Sequence, residues 1–116
     1  MISWPARAAV TVRWLTEEQS VIELLTARRI EGMVAAAQGD FEQASNALEE
    51  SIALARRSRY LHGEACALYE YGMMLLQRGR RDQALPRLGE ALRIFQNLGA
   101  QPYIERVGRA LIRGAA

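Results

Sequence analysis

GMVAAAQGDFEQASNALEE (residues 32–50) and GMMLLQRGRRDQALPRLGE (residues 72–90) are the two stretches on which the reading of the fold turns. Laid over one another at a shift of forty, they match at Gly32 and Gly72, Gly39 and Gly79, Gln43 and Gln83, Ala44 and Ala84, Leu48 and Leu88, and Glu50 and Glu90. Beyond them Ile52 meets Leu92 and Leu54 meets Ile94, so one register holds from residue 32 to residue 54 without a gap. Several of the matches are Gly or small residues, whose identity is dictated by backbone geometry or close packing.

Each copy reads as two helices. In the first, Ile22, Leu25, Ala27, Ile30, Val34 and Ala37 recur at spacings of two to four, and Gln38-Gly39-Asp40 breaks the pattern with a Gly suited to the position past a helix end. Asp40 caps the second helix, with Gln43 completing a capping-box-like pair, and Ala44, Ala47, Leu48, Ser51, Ile52 and Ala55 form its inner stripe. Arg56, Arg57 and Arg59 then stand where a helix C-terminus favours cations. The second copy opens near His62-Gly63-Glu64 and carries Ala65, Leu68, Tyr71, Gly72 and Leu75 inward. It breaks at Gln77-Arg78-Gly79-Arg80 and continues with Ala84, Leu88, Ala91, Leu92 and Phe95. Pro86 falls inside that last helix, where its missing N–H predicts a kink or a free carbonyl near Asp82. After Leu98-Gly99-Ala100-Gln101, Pro102 suits the first turn of a closing helix with Ile104, Val107, Ala110 and Leu111 on its apolar face.

Residues 22 to 113 are therefore expected to form at least five helices, with breaks near Gly39, Ser58 to Leu61, Gly79 and Leu98 to Gln101. The division expected is an N-terminal segment (1–21), repeat one (22–60), repeat two (61–100) and a capping helix (101–113). The first segment reads in two ways. Thr16-Glu17-Glu18-Gln19 fits a capping box that opens the first long helix after a separate one over Pro5 to Leu15, while Val10, Val12 and Trp14 alternate as in a strand.

Composition agrees with an all-α chain. Half of the 116 residues are apolar, Pro numbers only 3, and no Asn-Gly or Asp-Gly turn separates alternating strands. The 15 basic residues are all Arg and face 13 acidic ones, a small excess that does not mark a binder of polyanions. An Arg-only basic set fits a GC-rich bacterial genome. Cys66 is the single cysteine, so an internal disulfide is impossible and a reducing compartment fits. Arg7 and Arg13 interrupt any apolar leader, and no 18 apolar residues run together, so a cytoplasmic, soluble chain is expected.

Helix, Gly break, helix, with small residues at fixed places, resembles the tetratricopeptide repeat, whose pattern runs W-x2-L-G-x2-Y, then A-x3-F, a small residue and P. Arg28-x2-Glu31-Gly32-x2-Ala35 with Ala44-x3-Leu48 and Ser51 is a degenerate match. Leu68-x2-Tyr71-Gly72-x2-Leu75 with Ala84-x3-Leu88 and Ala91 is a closer one. The final Pro is absent from both, replaced by Arg56 and Gln96, and the forty-residue period exceeds the usual 34. Longer second helices or longer linkers would account for that excess. The chain looks like the variety found in bacterial signalling ATPases, transcriptional activators and cyclase-linked regulators.

The resemblance covers roughly residues 22 to 113 and implies an antiparallel helix-pair α-solenoid with a right-handed superhelix: two repeats plus flanking helices. It further implies a groove lined by the first helix of each pair, here Thr26, Arg29, Met33 and Ala36 from copy one and Cys66, Tyr69, Met73 and Leu76 from copy two. Such a groove would hold a peptide, helix or partner domain. The alternative is an effector- or peptide-sensing regulatory domain. The carboxylate clamp of chaperone-binding members is not reproduced, since only Arg29 offers a charge, and Met33, Met73, Tyr69 and Leu76 suit an apolar helix or loop.

Three other readings are weaker. His62 beside Glu64 and Cys66 reads as structural or solvated, so no metal or cofactor is expected. Arg56, Arg57, Arg59, Arg78, Arg80 and Arg81 read as helix-end charge diluted by Asp82, Glu49 and Glu50, with no interleaved aromatics, so no nucleic acid is expected. No Gly-rich phosphate loop, HExxH helix or Ser/His/Asp set appears, so no catalysis is expected. Two repeats leave apolar faces uncovered. Either the first twenty residues fold back as an extra helix to cover them, or two chains pack through the ends or through the Met-rich groove, and an isologous homodimer is the expected outcome.

Overall fold

The structure is a computed structural model; it describes the backbone of residues 4–115 and the side chains of residues 17–114. Among the described residues there are five helices and no strand: α1 Trp4–Ala37, α2 Phe41–Arg57, α3 Leu61–Gln77, α4 Arg81–Leu98 and α5 Gln101–Ala115. Among the described residues no helix is long and apolar enough to cross a membrane. Helix α1 packs on α2 and α3 on α4, while α2 also meets α3 and α4 meets α5. The first helices of successive pairs touch as well, α1 with α3 and α3 with α5. This is the alternation of an all-α helical-repeat solenoid.

The turns explain the period. Residues 39, 59, 79 and 99 all have positive φ, at 82°, 57°, 71° and 68°, and three of the four are Gly. In every turn the amide one residue further on donates to the carbonyl five residues before it. The bonds are Asp40 to Ala35, Tyr60 to Ala55, Arg80 to Leu75 and Ala100 to Phe95, at 2.9, 2.9, 2.8 and 3.0 Å. This is the helix-ending motif that a left-handed residue allows, and Arg59 is the one non-Gly residue that adopts it. Helices of 17 or 18 residues joined by two or three linking residues give a twenty-residue beat. The excess over a 34-residue repeat therefore lies in longer helices, not longer linkers.

One close approach sets each pair. A Cβ added at Gly32 would lie 2.6 Å from Leu48 Cγ, and one at Gly72 would lie 2.6 Å from Leu88 Cγ. The shared glycines thus let an opposing leucine seat against the helix backbone in both repeats. Buried Ser51 donates from Oγ to the Leu25 carbonyl at 2.7 Å, tying α2 to α1. Asp40 accepts from the Gln43 amide at 3.2 Å, which is the cap expected for α2. The inner stripe read for α2 is buried throughout, as are Ala65, Leu68, Tyr71, Gly72 and Leu75 of α3. In α4 the stripe is buried at Ala84, Leu88, Ala91 and Phe95, with Leu92 half-buried.

Helix α1 departs from expectation twice. It runs unbroken from Trp4, so Thr16-Glu17-Glu18-Gln19 opens no helix, and Val10 to Trp14 lie on a helix instead of a strand. Between Ala6 and Ala37 there is no proline, and Pro5 falls in the first turn, where its missing N–H is harmless. The side chains of Trp4, Val10, Val12, Trp14 and Leu15 lie outside the described residues. The second departure concerns the face. Leu25, Gly32 and Ala35 are buried, whereas Ala27, Ile30, Val34 and Ala37 of the expected stripe are exposed. Helix α4 runs through Pro86 without interruption; Pro86 is exposed and so is Asp82, whose carbonyl loses its donor four residues on.

Candidate functional site

The first helices of each pair, α1, α3 and α5, stand side by side and leave a chain of depressions along their common surface. A cavity of about 340 Å³ is lined by Thr26, Arg29 and Met33 of α1, Cys66 and Tyr69 of α3, and Tyr103 and Arg106 of α5, with His62 and Glu70 also in its wall. Met33 is shared with a smaller hollow that includes Ala36, Met73 and Met74. Met73 is shared in turn with a third that includes Leu76, Arg113 and Gly114. The eight groove positions read from the sequence thus fall along one run of connected depressions, with Met33 and Met73 as the joints. Met33 is 39% exposed and Met73 half-buried, while Met74 is core.

The structure adds residues that the sequence reading missed. His62 is held at the floor by rings: it meets Phe95 edge-on at 5.9 Å and Tyr103 at 5.1 Å, and Tyr103 stacks on Phe95 at 4.8 Å. Its Nε2 lies 3.5 Å from Cys66 Sγ, while Glu64 turns away to accept from Arg56 at 2.9 Å. Extending the forty-residue register once more would have found part of this set. Thr26 and Cys66 lead to Arg106, Gly63 leads to Tyr103, and Met33 and Met73 lead to Arg113. His62 and Glu70 carry no such signal, because their place in the wall depends on the packing of three helices.

Burial sets the electrostatics. It pushes the Cys66 thiol up from its ordinary value, against the opposing pull of Arg29 and Arg106, which makes the thiol a poor nucleophile at neutral pH. The Tyr69 hydroxyl is raised for the same reason. Glu70 is raised chiefly by burial, again opposed by Arg29 and Arg106. A carboxyl raised on folding stabilises the fold fully below its unfolded pKa, and that contribution is lost as pH rises through the folded value. Glu70→Gln should therefore flatten stability against pH above pH 4, the gap in Tm from wild type widening towards neutrality; parallel curves for the two proteins would refute the burial of Glu70.

Elsewhere four arginines are engaged. Arg56 donates to Glu64 and Glu90, Arg78 lies 4.4 Å over the Phe41 ring, and Arg87 lies 4.8 Å over Tyr71. Arg28 bridges Glu31 and Glu50.

Comparison with protein families matches residues 23–97 to a family model described as Tetratricopeptide repeat. No curated protein and no solved structure matches the chain.

Proposed function

The chain belongs to the tetratricopeptide repeat family, whose members generally mediate protein–protein interaction and typically have no enzymatic activity, and from that premise we propose that it holds a partner polypeptide along α1, α3 and α5. The observation that carries this reading is the run of depressions joined by Met33 and Met73, flexible apolar side chains that adapt to an apolar helix or loop. Tyr69, Cys66 and Leu76 extend the apolar surface, while Arg29 and Arg106 fix the ends of a bound segment by donating hydrogen bonds to its carbonyl or carboxylate oxygens. The unit acts as one domain with repeats over 22–60 and 61–100 and a closing helix over 101–113. It works as a homodimer in a bacterial cytoplasm, either free-standing or within a larger signalling or transcriptional regulator. The lone, buried cysteine and the Arg-only basic set support that setting.

The test is selection of displayed peptides on the wild-type protein. The expected winners carry apolar residues at helical spacing and lose affinity about tenfold or more on Met73→Glu, as removal of a central anchor does, but not on Ala53→Glu on exposed α2. Binders indifferent to Met73→Glu would overturn the groove. A second reading, effector sensing, draws on the 340 Å³ cavity, which is large enough for a small molecule.

A further inference from the structure

Two arginines of the groove stand apart from those that meet carboxylates. Arg28 bridges Glu31 and Glu50, and Arg56 bridges Glu64 and Glu90. Arg29 instead approaches Met33 Sδ at 3.7 Å, and Arg106 lies 5.2 Å over the Tyr103 ring. Among the described residues neither forms an ion pair. They reach one space from opposite sides, because α1 and α5 flank α3 and both guanidiniums line the 340 Å³ cavity over Cys66, Tyr69 and Glu70. Burial raises the pKa of Cys66 and of Glu70, and both guanidiniums oppose each rise, so the two act on the same part of the wall. Glu70 is the one carboxyl lining this cavity among the described residues. Two positive charges therefore face a single acid, and one stays unbalanced even when Glu70 is ionised. Like charges held together and partly withdrawn from water repel, a cost that an anion between them offsets.

We propose that Arg29 and Arg106 together receive one carboxylate from the partner, an Asp or Glu side chain placed at the end of the bound segment's apolar stripe. The inference rests on the groove reading above and names the chemistry of its occupant. Its position follows from the run of depressions. Met33 belongs both to this cavity and to the hollow beside Met73, so an acidic side chain held here is followed by apolar ones over Met33, Met73 and Leu76. Guanidinium forks suit the two oxygens of a carboxylate. A single negative charge matches the one left unbalanced, whereas Glu70 would repel the second charge of a phosphate.

The measurement is a thermodynamic cycle on displayed peptides selected against the wild-type chain. The selected peptides should share an Asp or Glu beside their apolar stripe, and its change to Asn or Gln should weaken binding about tenfold or more, the scale of charge-assisted hydrogen bonds. On the double variant Arg29→Gln, Arg106→Gln the acidic and amide peptides should bind alike, with helical circular dichroism unchanged, because neither side chain holds an ion pair in the fold. Arg57→Gln, at the exposed end of α2, should keep the full difference. Glu70→Gln should strengthen the acidic peptide alone, and amidating the peptide's C-terminus should change nothing. Met73-dependent binders without an acidic residue, or an acid-to-amide loss that persists in the double variant, would keep the groove and overturn the carboxylate site. Binding abolished by amidation would assign the charge to a chain terminus, and tighter binding of a phosphoserine in the acid's place would assign a phosphate; either overturns the side-chain carboxylate. No binders at all, or binders indifferent to Met73→Glu, would overturn the groove and the site together.

Discussion

Phe95→Ala is expected to cost about 3–5 kcal/mol, the largest loss of any single truncation among the described residues. Phe95 is fully buried on α4 and stacks on Tyr103 of α5 while meeting His62 of α3 edge-on. Its removal opens a cavity where three helices converge and also forfeits two aromatic contacts, each contributing about 0.5–1.5 kcal/mol beyond area. A domain of this size has about 5–15 kcal/mol in total, so the variant should unfold at a much lower urea concentration. Because the same rings floor the groove cavity, the mutation should also loosen His62 and Tyr103. A urea midpoint that moves by the equivalent of less than about 1 kcal/mol would mean that Phe95 does not join the three helices.

Gly72→Leu is expected to be the second large loss, about 1–3 kcal/mol or more. The first atom added is already too close: a Cβ there meets Leu88 Cγ at 2.6 Å and Cδ2 at 2.7 Å, with the Ala84 carbonyl at 3.4 Å. Leu88 is itself fully buried and has nowhere to retreat. Even Gly72→Ala should destabilise, although Ala is the better helix former. Gly89→Ala, on the exposed side of α4 with nothing within 4 Å of the added carbon, should instead stabilise by about 0.5–1 kcal/mol. Thermal unfolding of the two alanine variants checks the pair, and shifts of the same sign would contradict the close approach of α3 and α4.

The inner stripes of α2 and α3 were legible because each lies on one face at helical spacing and that face is buried. The same reasoning misplaced the stripe of α1. Ala27 and Val34 are apolar like their counterparts Ala67 and Met74 in the second repeat, with Ile30 between them at helical spacing, yet all three are exposed. Periodicity reports which residues would accept a neighbour, and says nothing of whether the neighbour is present. The first-helix groove positions followed from family register. Arg106 and Tyr103 needed only that the register be carried into α5, which does not repeat the motif closely enough to invite it.

By itself the sequence determined the forty-residue period, the four turns, the family and the buried faces of α2 and α3, because these depend on local rules: glycine at a left-handed turn position, a capping Asp40, apolar residues every third or fourth place. Only the tertiary structure decided that α1 is a single helix with an open apolar side. It also decided that His62, Glu70, Tyr103 and Arg106 share a cavity wall with Thr26, Arg29, Met33, Cys66 and Tyr69. These features depend on the crossing of helices far apart in sequence, and the distance between side chains on separate helices is set by packing, which no spacing along the chain encodes.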